Sequence, residues 1–295
     1  MVSGGSRVLS YDVGGSHISA ALCSEGDLSL GQVVKAPLPE EQSAEAFFDV
    51  LTRMAEQAGA EAKTTAGAAF AMPGPFDYAE GISWMKHKMP YLCGVNLREA
   101  LAKRMNWEGS QVRFLNDAAA YLLGEVSAGA ARGVARVAGF TLGTGIGSGF
   151  AVNGRIVTEG PGVPPGGEIW NVPFEGGIVE DLVSTRSIKR DYRERTGVEK
   201  EVAEIAAGAT SDPNAVTVFA EFGRNLGRVI RILLRDFAPE VVVLGGGIAR
   251  SSQLFLPATG GEIACFQLEL RVAQLGERAP LVGAAVAWFA QARNL

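Results

Sequence analysis

The spacing of apolar positions changes several times along the chain, and each spacing implies an element. Val8–Tyr11 and His17–Cys23 are short apolar runs joined by a Gly-rich turn. Residues 18–22, ISAAL, are apolar enough for a buried hairpin arm. Phe47, Phe48, Leu51 and Met54 share one helical face within Ala44–Ala58, and Gly59 stops that helix. Ala66–Met72 reads as a buried strand closed by Pro73-Gly74-Pro75. Asn96–Met105 reads as a helix with Asn96 as N-cap and Glu99 in the capping-box position. Val112–Leu115 is a strand running into Asn116-Asp117, followed by a helix over Ala118–Ala128.

The second half repeats this grammar. Val137–Leu142, a Gly-rich turn and Ser148–Val152 form another hairpin. Asp181–Thr196 is expected to be helical, and Ala215–Phe237 is a long amphipathic helix with Val218, Phe222, Leu226, Val229 and Leu233 in register. Glu240–Leu244 is a strand ending in three glycines, and Pro280–Ala292 is a terminal helix. A hairpin with a glycine turn thus occurs at 8–23 and again at 137–152. This internal echo predicts two similar α/β lobes with a cleft between them. The boundary is expected within 117–136. It divides an N-terminal lobe, 1–117, with the helix of 281–295 packed back on it, from a C-terminal lobe, 118–280.

Composition narrows the classes. The 295 residues are 47% apolar and 20% charged, enough for real cores and against extensive disorder. A net charge of −5 argues against nucleic-acid binding through the overall field. No apolar run reaches membrane-spanning length, so no membrane partner is expected; the N-terminus lacks an apolar signal core, which predicts a cytoplasmic protein. Three scattered cysteines exclude a disulfide framework and are too few for a Cys-rich zinc site.

The 38 glycines cluster where chemistry is wanted. Asp12-Val13-Gly14-Gly15-Ser16 places a carboxylate at a strand end before bare backbone N–H groups. Such a turn suits phosphate oxygens and a metal-bound water. Gly143-Thr144-Gly145-Ile146-Gly147-Ser148-Gly149 is the equivalent second turn, and no helix follows it directly, so a dinucleotide site is disfavoured. Asp117, at a strand-to-helix junction, is placed to take a proton from an alcohol, though Asn116 or Asp117 equally suits a helix cap. Glu168, Asn171 and Glu180 lie in and just after a Gly/Pro-rich stretch and suit hydroxyl binding; Glu180 and Asp181 equally suit the N-terminal dipole of a helix. Gly245-Gly246-Gly247 allows a flat base or ribose to approach the backbone, or serves as a plain β-to-α turn.

The ordered set DVGGS, PGPFD, LNDAAA, GTGIGSG, GGE-x-x-N with VED downstream, VVVLGGGIA and LGERAPLVGAA resembles the ROK family of bacterial sugar kinases, from about Val8 to about Ala290. The resemblance implies an actin-like, hexokinase-like ATPase fold of two ribonuclease H-like lobes. It implies transfer of phosphate from ATP to a free hexose, glucose first, with N-acetylmannosamine, N-acetylglucosamine or another hexose as the alternative, usually at the 6-OH and with Mg-ATP held between the lobes. Position by position it assigns Asp12, Gly14, Gly15 and Ser16 to the first phosphate motif, with Asp12 holding Mg²⁺ through water. Thr144, Gly145 and Gly147 match the second phosphate motif, and Gly245, Gly246 and Gly247 the adenosine motif. Asn116 matches a substrate-binding Asn, Asp117 the catalytic base, Glu168 the Glu of an E-x-G-H element, and Glu180 the carboxylate that closes the sugar pocket. A homodimer is implied on the same ground.

Two departures matter. E-x-G-H reads Glu168-Ile169-Trp170-Asn171 here, and the Cys-rich zinc loop of the family is missing, since Val172–Val179 holds no Cys. No structural zinc is expected, because such a site needs about four N or S ligands. Trp84-Met85-Lys86-His87-Lys88-Met89-Pro90 is basic where glucokinases of the family carry an Asn-containing element. That run is either a solvated turn or a preference for an acidic or N-acylated sugar. The rival readings are a sugar-responsive repressor, a polymerising or chaperone-like ATPase, and a non-catalytic sugar binder. Only eleven residues precede Asp12, so no DNA-binding domain is expected, and a polymerising ATPase has no need of Glu168, Asn171 and Glu180.

Overall fold

The computed structural model describes residues 6–61 and 63–292. The chain begins with β1 (Arg7–Val13), β2 (His17–Ser24), β3 (Val34–Pro37), α1 (Ala44–Gln57) and β4 (Ala68–Met72). A short pair, β5 (Phe76–Asp77) and β6 (Ile82–Ser83), precedes α2 (Leu97–Met105), β7 (Val112–Asn116) and α3 (Asp117–Ala128). Then come β8 (Arg136–Leu142), β9 (Ile146–Val152), β10 (Arg155–Ile156), β11 (Pro173–Phe174), β12 (Gly177–Ile178), α4 (Val179–Leu182) and α5 (Thr185–Thr196). They are followed by α6 (Val202–Gly208), α7 (Pro213–Leu233), β13 (Val241–Gly245), α8 (Ser252–Ile263), β14 (Glu269–Val272) and α9 (Ala279–Ala292). Two compact units result. One holds the described residues up to Ala128 with those from Glu277 onward, and the other is Gly129–Gly276. Positions 293–295 of the expected terminal helix lie outside the described residues.

In the first unit the sheet order is β3-β2-β1-β4-β7. Strand alternation sorts its side chains between two cores. Leu9, Tyr11, Phe70, Met72 and Phe114 meet Phe47, Phe48, Leu51 and Met54 of α1 and Leu97 and Leu101 of α2. Val8, Ala69 and Ala71 face the other way, under Ala284, Ala285, Trp288 and Phe289 of α9. The hydroxyl of Ser43 caps α1 by accepting the Ala46 N–H at 3.1 Å, and Asn96 caps α2 by accepting the Glu99 N–H at 3.1 Å. α3 and α9 cross closely on small residues: a Cβ on Gly124 would meet the Ala279 carbonyl oxygen at 2.1 Å.

The second unit repeats the topology, with sheet order β10-β9-β8-β13-β14. Ala138, Phe140, Leu142, Val242 and Leu244 pack against Val218, Phe222, Leu226 and Val229 of α7. The expected helix over 181–196 is two helices. Ser184 is extended (φ −158°, ψ 167°) and its hydroxyl caps α5 at the Ser187 N–H. α7 starts earlier than its apolar register, at Pro213, because Asp212 caps it through the Asn214 N–H at 2.9 Å. α8 was not expected. It carries Pro257, Gly260 and Gly261, and it forms where Gly223 and Gly227 let α7 approach. A Cβ on Gly223 would meet the Phe255 carbonyl oxygen at 2.3 Å, and the Thr259 hydroxyl donates to the Gly223 carbonyl at 3.0 Å. Among the described residues no helix is long and apolar enough to cross a membrane.

Candidate active site

Parallel pairing places the chemistry of the first unit. β1 pairs with β4 and β4 with β7, all parallel, with Asp12 opposite Ala71 and Met72 opposite Asn116. Asp12 and Asn116-Asp117 therefore emerge at the carboxyl edge of one sheet, the usual ligand edge of α/β folds. Beside them the β1–β2 turn is held by the Gly14 N–H donating to the His17 carbonyl at 2.9 Å. A Cβ on Gly15 would meet nothing within 4 Å, so its backbone is open to a ligand. Ser16 is exposed, its Oγ 3.2 Å from His17 Nδ1.

Asn116 holds this corner together. Its Oδ1 accepts the Ala118 and Ala119 N–H groups at 3.0 and 3.1 Å, capping α3, and its Nδ2 donates to the Tyr78 hydroxyl at 3.1 Å. Tyr78 in turn donates to the Met72 carbonyl at 3.1 Å, which ties the loop after β4 to the start of α3. Asp117 is half-buried as the first residue of α3, with Oδ1 accepting its neighbour's N–H from Ala118 at 2.8 Å.

Asp12 is also half-buried. Burial pushes its carboxyl up to about 7, and the negative charges of Asp117 and Glu277 push the same way against the opposing Lys35. Lys35 is paired with Glu277 at 2.5 Å. Such crowding of negative charge favours a cation. Among the described residues no three His, Cys, Asp or Glu side chains converge as direct ligands. A single carboxylate reaching a hydrated ion through water fits Mg²⁺, which keeps several waters and takes its other ligands from phosphates.

In the second unit the β8–β9 register sets Thr141 opposite Gly147 and Leu142 opposite Ile146, leaving Gly143-Thr144-Gly145 as the turn, with Thr144 exposed. Gly245 of β13 pairs in parallel with Thr141, which brings the 245–247 turn beside it. Gly246 has φ +83°, and a Cβ there would lie 2.3 Å from the Leu142 carbonyl oxygen, so this glycine serves packing. Gly247 faces open space and remains available to a ligand.

The hydroxyl-binding candidates gather in the same unit. Ser148 accepts the Ile169 N–H at 3.0 Å and donates to the Gly167 carbonyl at 2.6 Å, pinning the Glu168 segment to β9. The Trp170 indole N–H donates to Glu168 Oε2 at 3.0 Å, and Asn171 is exposed. Glu180 reaches the glycine turn, with Oε2 accepting the Ile146 N–H at 3.3 Å. Lys86, His87 and Lys88 are exposed between the buried Met85 and Met89, as in a solvated turn. Tyr78, Lys35 and Ser148 were not singled out in the sequence. Ser148 alone had a signal, since it lies inside the glycine motif.

The fold is of the actin-like, hexokinase-like α/β type, and the model of the ROK family matches residues 8–291. The chain belongs to that family. It is 30% identical over 275 residues to a glucokinase of Thermotoga maritima, covering 84% of each chain. It is 25% identical over 262 residues to an N-acetylgalactosamine kinase of a Shewanella species, covering 82% of each. A ROK hexokinase from Thermus thermophilus superposes with a TM-score of 0.83 at 28% identity, over 98% of this chain and 100% of that one.

Proposed function

We propose that this protein transfers the terminal phosphoryl group of ATP to a hydroxyl of a free hexose, with glucose as the substrate and the 6-OH as the acceptor. The observation that carries the reading is the pairing of Asp117 and Asp12 at one sheet edge, with mutual repulsion strong enough to help raise the Asp12 carboxyl. One of the two has a proton to take and the other a cation to hold. Asp117 accepts the proton of the attacking hydroxyl, which requires a carboxylate within hydrogen-bond reach of it. Asn116 fixes the start of α3 and so the position of Asp117. In this reading the N–H groups of Gly15 and Ser16 in the first turn, and of Thr144 and Gly145 in the second, bind the phosphates and offset the charge that spreads over the transferring group. Mg²⁺, when bound with the nucleotide, neutralises phosphate charge, and Asp12 holds its water shell. Gly247 gives the adenosine a bare backbone to lie against, while Gly245 and Gly246 shape that turn. Glu168, Asn171 and Glu180 read the sugar hydroxyls.

A coupled assay of ADP release over a panel of free sugars tests this. Glucose, mannose, fructose and the N-acetylated hexosamines belong in the panel, the last because of the N-acetylgalactosamine kinase relative. Sugar-dependent ADP release is expected with glucose. Release independent of every sugar would point to an ATPase, and sugar binding without release to a sensor.

A further inference from the structure

Glu180 stands within a chain of contacts that runs from Glu168 to the glycine turn of the second unit. The Trp170 indole N–H donates to Glu168 Oε2 at 3.0 Å, and the Glu180 backbone N–H donates to the Trp170 carbonyl at 3.1 Å. The Glu180 side chain then leaves its own helix. Oε2 accepts the Ile146 N–H at 3.3 Å, and Oε1 accepts from Arg186 Nη2 at 3.3 Å. One turn further on, the Thr185 N–H donates to the Gly143 carbonyl at 2.7 Å. The segment from 168 to 186 thus touches both shoulders of the 143–146 turn.

Gly145 makes room for this. A Cβ on Gly145 would lie 2.0 Å from Glu180 Oε2 and 2.9 Å from its Cδ. Gly145 is absent from the glycines with positive φ, so the turn itself does not demand glycine there. Its lack of a side chain serves the incoming carboxylate. A plain dipole role for Glu180 does not account for that reach, because α4 is only four residues long and the carboxylate is spent on a different element.

We infer that Glu180 is a positioning residue that couples hexose occupancy to the phosphate turn. The inference rests on the hexose kinase reading above and deepens it. A hydroxyl held by Glu180 restrains a carboxylate that is already bonded to the turn. The ordering cost of 143–146 is then partly met before the nucleotide arrives, and the two ligands tighten each other. Linkage makes the effect equal in both directions.

Calorimetry on the full chain tests it, with glucose (or the hexose that the panel identifies) and AMPPNP with Mg²⁺ as probes. In the wild type, saturating sugar is expected to lower the AMPPNP dissociation constant by about five- to tenfold, and AMPPNP to do the same for sugar. Gly145→Ala pushes the Glu180 carboxylate off the turn without removing it, and leaves Glu168 untouched. Its sugar affinity measured alone should fall less than that of Glu180→Ala while the coupling factor falls to about one. Glu180→Ala should also lose the factor, and the double variant should lose no more than either single one, as two changes at one contact do. A factor retained in Gly145→Ala overturns the inference, as does a wild-type factor of one with both ligands bound. Weaker AMPPNP binding and a lower melting temperature in Glu180→Ala with the factor intact would mark a merely structural contact, and would also overturn it. Wild-type protein that binds AMPPNP but no hexose overturns the underlying reading instead, and is recognised by the lack of any sugar heat.

Discussion

A Cβ on Gly283 of α9 would lie 1.8 Å from the carbonyl oxygen of Ala120 in α3. The obstacle is backbone in a buried helix, which cannot swing away as a side-chain tip can. α3 starts at Asp117, so the crossing that Gly283 permits also sets where the proposed base stands. Gly283→Ala should cost about 3 kcal/mol, the upper end of ordinary overpacking, and lower the melting temperature by roughly 5–10 °C. Turnover should fall with it. Thermal unfolding with a kinetic assay checks this, and an unchanged melting curve would mean that the helices cross elsewhere.

Asp117→Asn keeps the size of the side chain and its acceptor oxygen but cannot take a proton. We expect kcat to fall by about 10²- to 10⁴-fold, with sugar affinity within about tenfold of wild type. A variant that keeps most of its turnover would reduce Asp117 to a partner of Asn116 in capping α3.

Asp12 supplies a pH signature. Its carboxyl is raised to about 7 in the folded protein, chiefly by burial and then by Asp117 and Glu277. An acid raised in the folded state is protonated there while already ionised in the unfolded chain, so the unfolded state binds fewer protons and stability falls as pH rises. The penalty is absent below the ordinary carboxylate value near 4, grows up to about 7 and is constant above that. Asp12→Asn should therefore melt like wild type near pH 4 and higher than wild type at pH 8, in ligand-free protein. Mg-ATP should reverse the order, since only the carboxylate gains from the cation. Melting curves across that range, with and without Mg-ATP, read both effects.

Trp170 replaces the small residue of the family's element and donates its indole N–H to Glu168. Trp170→Phe keeps the ring and deletes the donor. The sugar KM should shift by about three- to tenfold, the size of one hydrogen bond, with the ATP KM little changed. The wild-type tryptophan emission should change on adding sugar, and that change should be lost in the variant. A full fluorescence response in Trp170→Phe would assign the signal to another tryptophan.

Cys23 is buried, while Cys93 and Cys265 are exposed and stand apart from the 168–180 segment in sequence. With Asn171 in place of the family's His, we expect the purified protein to contain no stoichiometric zinc and to keep its activity after chelation once Mg²⁺ is restored. Elemental analysis decides it, and one zinc per chain would reveal ligands from other positions.

Elements whose apolar spacing and caps agree were legible from the chain alone. α1 and α2 lie within a residue or two of their expected limits because Ser43 and Asn96 close them where the apolar faces start. The two hairpins were legible for the same reason, local strand pattern and glycine turn together. α8 was hidden, because Pro257 and two glycines contradict a helix and only the groove opened by Gly223 and Gly227 on α7 makes it favourable. Ser184 broke an expected helix through its own side chain, a contest between cap and interior that spacing does not register. In the site, Asp12 and Asn116-Asp117 could be named from motif order, but their adjacency depends on parallel pairing through β4. Tyr78 and Lys35 left no trace in the sequence, since each matters through a contact with residues far along the chain. Glu180 was legible as a carboxylate with a role, yet its grip on the Gly145 turn needed the distance.

The unequal dress of the two faces of the first sheet has a bearing on how the protein is made. Synthesis runs from the N-terminus, and domains fold as their parts emerge. The face carrying Tyr11, Phe70 and Phe114 is covered by α1 and α2, which leave the ribosome among its own strands. The opposite face must wait for α9 until the entire second unit has been made. That waiting face carries Val8, Cys23, Ala69 and Ala71, under Ala120 of α3, and the bulky Trp288 and Phe289 arrive only with the helix that covers it. The face left bare the longest thus has mostly small residues at its buried centre, and its two large aromatic partners arrive only when the sheet is sealed.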